Sequence, residues 1–478
     1  MNGSPEVPLV SKSRFKRLAL IAAGTSLVLA GTATAFLVLN RREVTTSSAE
    51  AYRNYKLGRE NELKMYEKEA MASYAEALRH DGNFVMATVR LADYMAKRDP
   101  ERAKSMVERV KQYQDQITPR ERFAMRIFEA HMARLDAKEL EALFDEYVRT
   151  FPKDAEPYRQ RAMFYLNYQR PADGIKDMET VIAINPNDAQ AYNQLGYYWA
   201  GMGDYAKAED YFKRYRFLAP DQANPYDSLG ELYANTGRYE EAEESLKKAL
   251  AVKPDFFYSV ARFGTIEIGR GNPLAAAEHF RRAAEMTEGL GLRRDFTLDQ
   301  ANSLIDAGRN EDALKLFEKI RTEVESLPGE EGRRIARFVP RVRAFLEVRM
   351  GRLDAAEVDL TAAESIAAQM KPDERKYYEP ELLFVRGLLA ERRGHHEEAV
   401  DLLTLSITQR QLLLSGFEIY PSLAFHRIAL ADSLRKLGRT KEAEEALQVV
   451  LRANPKFQPA VTMEAALKDT APMPVAAR

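Results

Sequence analysis

The feature that most constrains this chain is a block of 34 residues that recurs five times in one unbroken register between positions 121 and 290. In the copy that begins at Ala189, the recurring residues are Tyr192, Leu195, Gly196, Trp199, Ala208, Phe212 and Pro220. In the next copy, which begins at Ala223, they are Tyr226, Leu229, Gly230, Tyr233, Ala242, Leu246 and Pro254. Short repeated units bury their apolar surface against neighbouring units, so the pattern predicts a stacked solenoid.

The spacing inside each copy predicts two helices joined by a turn. Residues at offsets 3, 6, 7 and 10 fall on one face of a first helix, and those at offsets 19 and 23 share a face of a second helix. A small residue at offset 7, such as Gly230, lets the second helix approach closely. Gly237-Arg238 is typical of the turn between the helices, and the proline at offset 31 blocks continuation of the second helix. The predicted fold class is therefore all-α.

More divergent units flank the regular block. The register extends back to Ala51. Beyond the block, the small and large residues of the second helix recur at intervals of 43 or 44 residues, as Ala313-Phe317, Ala356-Leu360, Ala399-Leu403 and Ala443-Leu447. We therefore predict a solenoid of about ten hairpins. Its parts are an array of 34-residue units at 51–290, an array of longer units with a C-terminal capping helix at 294–468, and a tail at 469–478.

The signature Tyr-x-x-Leu-Gly-x-x-Tyr, followed by the small residue and the proline, is intact from Tyr226 to Pro254 and resembles the tetratricopeptide repeat. The resemblance covers roughly residues 51–468. It implies an α-solenoid whose first helices line a concave surface, which commonly accepts an extended peptide or a helix of another protein. The fold serves many assemblies, so the resemblance does not name the partner.

Two shorter segments, 117–122 and 218–225, resemble parts of the extracytoplasmic repeat domains of some bacterial membrane-anchored kinases and transcription regulators. Those proteins carry a cytoplasmic effector domain before their membrane helix. Only 17 residues precede the apolar segment of this sequence. The resemblance therefore implies such a repeat domain without the effector, and the signalling role is not carried over with it.

The resemblance also points to a partner groove, because the groove-facing offsets in this family are usually 1, 4, 5, 8 and 12. In the best repeats the candidate residues at these offsets are Arg159, Gln160, Met163, Asn193, Gln194, Tyr197, Asn224, Asp227, Glu231 and Asn235. Asn and Gln amides can pair with a peptide backbone, while Tyr197 and Met163 offer apolar contact. The alternative is a solvated groove, with the partner bound elsewhere on the chain.

Residues 18–39 form an uncharged run of 22 residues, which as a helix rises about 33 Å and spans a hydrocarbon core. More cations precede the run than follow it closely, so the positive-inside rule predicts a cytoplasmic tail at 1–17. A polar stalk at 43–50 and the repeats would then lie outside the cytoplasm, in the periplasm of a diderm bacterium. The alternative is a cleaved signal peptide, with Ala33-Thr34-Ala35 as its cleavage site.

The same run contains small residues spaced four apart, which would let two membrane helices approach closely and form a dimer: Ala22, Ser26, Ala30 and Thr34.

Composition argues against several functional classes. Lys plus Arg is 71 and Asp plus Glu is 72, whereas a general nucleic-acid binder usually has a basic excess. Cysteine is absent, which excludes disulfides, cysteine–zinc sites, iron–sulfur clusters and a cysteine nucleophile. The sequence has no glycine-rich phosphate loop, zinc-protease motif or hydrolase elbow. We therefore expect neither an enzyme nor a bound cofactor or metal.

A cluster of arginines lies between positions 333 and 352, with a single acidic residue among them. Its candidate binding residues are Arg333, Arg334, Arg337 and Arg341. One interpretation is a cationic solvent-exposed face, and the other is a patch that attracts an anionic polymer, lipid headgroups or an acidic protein.

These observations favour a membrane-anchored scaffold that binds a protein in an envelope assembly, such as secretion, polysaccharide export or envelope biogenesis. The alternative is a signalling accessory that senses a ligand in the groove and acts through a dimerising membrane helix. An enzyme with a site that no motif reveals is a third reading.

Overall fold

A computed structural model of the chain describes residues 44–96, 99–133, 135–167, 170–287, 290–326, 336–413 and 422–470. Within these ranges the regular elements are 23 helices and there is no strand, so the predicted all-α fold is confirmed for the described residues. The predicted membrane segment at 18–39 and the tails lie outside these ranges. No helix within them combines the length and apolar character that crossing a membrane requires.

The chain divides into two compact units. The described part of the first unit is 44–61, 67–96 and 100–133. Its helices are α1 Ala49–Leu63 (which runs on into residues of the second unit), α2 Glu67–His80, α3 Val85–Ala96, α4 Pro100–Lys111 and α5 Pro119–Ala133. Its core contains Ala51, Tyr55, Ala70, Tyr74 and Phe84, all buried.

The predicted stalk at 43–50 contributes to the first unit where the structure describes it. Val44 is buried in the same cluster as Tyr55 and Tyr74. The backbone amide of Thr45 donates a hydrogen bond of 2.9 Å to the buried carboxylate of Glu121, and α1 already begins at Ala49. Residues 44–48 are therefore packed against the first unit, because their backbone and hydroxyl groups find partners there.

The second unit holds most of the remaining chain, from position 135 onward. Its helices up to position 306 are α6 Ala137–Thr150, α7 Ala155–Asn167, α8 Pro171–Ile184, α9 Ala189–Gly201, α10 Tyr205–Leu218, α11 Asn224–Asn235, α12 Tyr239–Val252, α13 Phe257–Arg270, α14 Pro273–Met286 and α15 Leu290–Asp306. The later ones are α16 Asn310–Glu325, α17 Val339–Arg349, α18 Leu353–Ala368, α19 Pro372–Arg392, α20 His396–Leu413, α21 Ser422–Lys436, α22 Thr440–Ala453 and α23 Gln458–Thr470.

The hairpins pack as the repeat spacing predicts. Gly196 on α9 lies against the buried ring of Phe212 on α10, and a Cβ at Gly196 would come within 2.5 Å of that ring. Gly230 approaches Leu246 in the same way one repeat later. The small residue of the first helix is therefore the point of closest approach within a hairpin, and at Gly196 and Gly230 glycine leaves room for the large residue opposite.

The turns between first and second helices depend on glycine in the left-handed region. Gly237 has φ +75° and Gly271 has φ +80°, and they lie two residues and one residue after the end of a first helix. An L side chain is strained at such φ values, so glycine ends each first helix at low cost and lets the second helix begin two residues later.

The second unit closes on itself. The predicted capping helix, α23, packs on α21 and α22 and also on α13. The side-chain amide of Asn454 donates 3.2 Å to the Tyr239 hydroxyl and 3.4 Å to the Ala234 carbonyl. Because the C-terminal hairpin returns to α11–α13, the 34-residue hairpins from α6 onward and the longer hairpins belong to one compact unit.

Candidate functional site

Five of the predicted groove residues are buried: Asn193, Asn224, Asp227, Glu231 and Asn235. Asn193 accepts a hydrogen bond of 3.0 Å from the Ser228 hydroxyl, which links α9 to α11. Asp227 accepts one of 2.6 Å from the Ser259 hydroxyl, which links α11 to α13. We call these contacts the polar ladder, because they join successive first helices.

The polar ladder ends in a buried charge pair. Glu231 accepts a hydrogen bond of 3.0 Å from the Tyr197 hydroxyl and pairs with Arg262 at 2.7 Å. Burial raises the pKa of both Asp227 and Glu231, and the nearby Arg262 guanidinium opposes that rise. These side chains therefore hold the array together, and a direct role for them in partner binding stays a prediction.

The other predicted groove residues are partly exposed. Arg159 pairs with Glu156 and Asp188, and Gln160 donates 2.9 Å to Glu156. Tyr197 packs edge-on against Phe212, and Met163 lies against the core around α7–α9. Gln194 is the fifth partly exposed residue of the predicted groove. These residues lie on α7 and α9, as the offsets predicted. Several of them already form contacts with other side chains of the array.

The predicted basic patch is only partly described. Arg333 and Arg334 lie outside the described residues. Arg337 has its guanidinium 3.4 Å from Glu374, and Arg341 lies 3.8 Å from Glu381. Both carboxylates belong to α19, so these two arginines join α19 to the region of α17. Binding of an anionic partner by this patch stays a prediction.

A cavity of ≈ 620 Å³ with both aromatic and polar lining residues lies in the described part of the second unit, and we call it the chamber. The first helices α13, α15, α17, α19 and α21 line it, together with Phe280 of α14 and residues of α23. Pro459 and Met463 of α23 therefore cover part of the concave surface that these first helices form.

Aromatic rings follow one another along the chamber wall. The rings of Phe384 and His426 are stacked, with centroids 3.7 Å apart and an interplanar angle of 21°. Phe345 lies 6.1 Å from Phe384 on the other side. Phe425 and Met463 add further apolar surface. Such rings offer large contact area at little cost in conformational entropy, which suits recognition of another molecule.

Most charged groups that line the chamber are paired. Asp306 pairs with Arg349, and Asp432 lies 3.0 Å from Lys436. Glu391 pairs with Lys436 as well and lies 3.6 Å from Arg392. The Asp306–Arg349 and Glu391–Lys436 pairs join neighbouring first helices, and together the four pairs leave little net charge to attract a ligand.

Asp299 is the exception. Its carboxylate has no hydrogen bond or ion pair among the residues that the structure describes, and it is exposed to the chamber. The surrounding protein desolvates it and raises its pKa to about 7, with Asp295 adding to the rise and Arg262 opposing it. The chamber therefore combines aromatic walls with one carboxylate that forms no ion pair with a described residue, an arrangement suited to a cationic group on an apolar ligand.

The described residues offer no grouping of three or more potential ligands that would hold a metal ion. His426, the one histidine among the residues that line the chamber, is stacked on the ring of Phe384. The geometry therefore supports binding through shape, aromatic contact and charge.

None of the ten predicted groove residues lines the chamber. The sequence nevertheless contained the signal, because groove offset 8 lies eleven residues before the small residue of the second helix. Counted back from the small residues Ala313, Ala356, Ala399 and Ala443, that position holds Asn302, Phe345, Leu388 and Asp432. All four line the chamber. The same offsets, carried into the longer units, would have found it.

Comparison with protein families matches four segments to models described as tetratricopeptide repeat: 160–223, 223–256, 261–328 and 429–456. These segments cover the hairpins from α7 to α16 and the hairpin of α21 and α22. A search of curated proteins gives no match.

Several solved structures are similar to the chain. A tetratricopeptide repeat protein from Parabacteroides merdae is 14% identical, with 59% of this chain and 98% of that chain covered and a TM-score of 0.41. PilW, described as a type IV pilus biogenesis factor, is 19% identical over 44% of this chain and 94% of its own, with a TM-score of 0.36. MamA from Desulfovibrio magneticus is 21% identical over 34% and 92%, with a TM-score of 0.30.

Likeness at this level says nothing about what the chain binds. The family matches and the helical hairpins agree on the same segments, and the chain therefore contains tetratricopeptide repeats.

Proposed function

We propose that this protein is a scaffold that binds a segment of a partner protein in the chamber, and that the segment presents a lysine or arginine to Asp299. The observation that carries the proposal is the isolated Asp299 carboxylate in a space lined by Phe345, Phe384 and Phe425. A basic side chain has an aliphatic stem that packs on aromatic rings and a charged end that reaches a carboxylate. Tetratricopeptide repeats generally bind protein partners, which supports the class of ligand.

The size of the chamber favours a short segment. A volume of ≈ 620 Å³ lies within the range of about 300–1,000 Å³ that small-ligand sites occupy, so it accommodates a few residues of peptide and not a folded domain. The rest of the partner would then run outside the chamber.

Replacing Asp299 by asparagine is expected to weaken binding of a basic peptide about tenfold or more, because a charge-assisted hydrogen bond is lost. Peptides selected from a random display library on the wild-type chain supply the probe. We expect them to carry lysine or arginine beside aromatic or leucine residues. Fluorescence anisotropy with selected peptides, and with versions in which glutamine replaces the basic residue, measures the loss.

The matched control is Asp312→Asn on α16, which removes an exposed carboxylate that pairs with Arg309 outside the chamber. It should leave peptide affinity unchanged. Selection of acidic peptides, or equal losses in the two variants, would contradict the proposal.

The same assay has a pH signature. The folded pKa of Asp299 is raised to about 7, so its carboxyl group is mostly neutral at pH 6 and mostly ionised at pH 8, and only the ionised form attracts a cation. Affinity for the basic peptide should therefore fall by up to about tenfold between pH 8 and pH 6 in the wild type. In Asp299→Asn it should be flat.

We further propose that residues 18–39 anchor the scaffold in a membrane and that the repeats act outside the cytoplasm, in an envelope assembly. The uncharged run and the cations before it support this placement. Removing residues 1–39 should move the protein from the membrane fraction to the soluble fraction of its host cells. Protease added to spheroplasts should digest the repeats of the intact chain. Repeats that stay protected, or a soluble intact chain, would contradict the placement.

A further inference from the structure

A second cavity, of ≈ 310 Å³, lies where the C-terminal hairpin of α21 and α22 meets the ends of α9, α11 and α13. We call it the closure cavity. Its walls are mostly apolar, with Ala200, Ala424, Val449, Val450 and Phe457 among the lining residues. The hydrogen bonds of Asn454 to Tyr239 and Ala234 hold the two sides together beside it.

Arg427 is the single charged side chain among the residues that line the closure cavity. It lies on α21 and is partly buried. It has no ion pair or side-chain hydrogen bond among the described residues. Burial lowers its pKa and no carboxylate opposes that effect. A guanidinium nevertheless stays protonated at neutral pH, so the cavity holds a positive charge that no described residue pairs with.

Neighbouring arginines differ from Arg427 in this respect. Arg435 lies 2.7 Å from Asp432, and Arg439 lies 2.7 Å from Glu442. These two arginines are thus paired with carboxylates, whereas no described carboxylate pairs with Arg427. A charge withdrawn from water without a partner costs free energy, and a ligand that supplies the counter-charge recovers it.

We propose that the closure cavity binds a small aliphatic carboxylate, with its carboxylate on Arg427 and its hydrocarbon chain against the apolar wall. Guanidinium and carboxylate groups match in a bidentate geometry that an ammonium cannot reproduce. Gln411 and Thr265 also line the cavity and are polar enough to bond to the second carboxylate oxygen. Asp299 does not line this cavity, so the site extends the protein's binding activity beyond the proposed partner segment.

The cavity volume sets the length of the chain. A space of ≈ 310 Å³ equals about ten waters at ~30 Å³ each, and a methylene group occupies a similar volume. A saturated carboxylate of about eight to ten carbons therefore fills the cavity, whereas a membrane-length acyl chain exceeds it.

Decanoate is the probe for this site. Isothermal titration of the full-length protein, below the micelle concentration of the ligand, should show saturable binding at one site. Arg427→Met should weaken binding about tenfold or more. Arg427→Lys should weaken binding less, because lysine keeps the positive charge but cannot form the bidentate contact of a guanidinium. The matched control is Arg439→Met, which removes an arginine of the same region that does not line the cavity.

Ligand analogues separate charge from apolar contact. Decanol and decylamine should bind far more weakly than decanoate, because neither supplies an anion to Arg427. Decanol that binds as tightly as decanoate, or equal losses in Arg427→Met and Arg439→Met, would overturn the proposal. Tighter binding of an apolar peptide through its free C-terminal carboxylate would also overturn it, since the ligand class would then be a protein terminus.

A stability measurement guards against a folding defect in the variant. Without ligand, Arg427→Met should unfold at the same temperature as the wild type or a higher one, because it removes an uncompensated charge. Decanoate should raise the midpoint of the wild type and leave that of Arg427→Met unchanged. A ligand-induced rise of equal size in both proteins would place the carboxylate elsewhere.

Discussion

Asp177→Ser is expected to lower the free energy of unfolding by about 3 kcal/mol, the largest loss that we anticipate from a single polar side chain. Two hydrogen bonds of 2.8 Å join the Arg161 guanidinium to the Asp177 carboxylate, and a third of 2.8 Å joins it to Asp145. The Asp177 bonds raise the pKa of Arg161. Asp177 is only 4% exposed, so its removal leaves a poorly solvated cation with one partner.

A second substitution should restore most of the loss. In a following repeat the same two positions hold Leu229 and Ser245, both buried and sixteen residues apart like Arg161 and Asp177. Arg161→Leu combined with Asp177→Ser therefore recreates a pair that the array already accommodates. Urea unfolding followed by circular dichroism should give a double-mutant cycle with a coupling of about 2–3 kcal/mol. Additive losses would show that the ion pair does not stabilise the hairpin.

The sequence alone identifies Arg161 as unusual for its repeat position, but it does not identify Asp177 as its partner. The repeat register already marks Arg161 as a departure, because other copies carry Leu195 or Leu229 at that offset. The structure shows that the departure is compensated across the hairpin, and that Arg343 and Asp359 form the same pair in a longer unit. A search for substitutions sixteen residues apart would have predicted both ion pairs from the repeat alone.

The fold of each hairpin follows from local spacing, but the chamber and the closure cavity do not. They exist because the C-terminal hairpin reaches α11–α13, through contacts such as that of Asn454 with Tyr239, 215 residues apart in the chain. The path of a solenoid is the sum of small rotations between neighbouring hairpins, and each depends on the volumes of many interfacial side chains. The offsets therefore predicted which helices face inward, but not that the inward faces of α13–α21 would be enclosed.

The polar residues of the predicted groove illustrate the same limit. Asn193 and Asp227 occupy inward-facing offsets, as a peptide-binding groove requires. Successive first helices lie close enough for the Ser228 and Ser259 hydroxyls to donate hydrogen bonds to these side chains instead. Whether such a side chain meets a partner or a neighbouring helix depends on curvature, which a single repeat does not encode.

Gly174→Ala is expected to destabilise the protein by about 2–4 kcal/mol, through a clash and a lost hydrogen bond. Gly174 lies near the start of α8. A Cβ added to it would come within 2.6 Å of Cζ of Tyr198 and closer still to the hydroxyl oxygen. That hydroxyl is buried and donates a hydrogen bond of 2.9 Å to the carbonyl of Ala162. Tyr198 is fully buried, so the ring has no free space into which it can move.

A second substitution, suggested by the next repeat, should restore much of the stability lost in Gly174→Ala. One unit later the corresponding residues are Ala208 and Leu232, twenty-four apart like Gly174 and Tyr198, and both are buried. Gly174→Ala with Tyr198→Leu should therefore regain much of the lost stability, because the smaller side chain leaves room for the methyl group.

Gly291→Ala is the matched control, since nothing lies near its added Cβ and alanine favours a helix by about 0.5–1 kcal/mol relative to glycine. Thermal unfolding should rank Gly291→Ala above the wild type, the double variant below it and Gly174→Ala lowest. A double variant no more stable than Gly174→Ala would mean that the tyrosine is not the obstacle, and that glycine at this position serves the backbone of α8 instead.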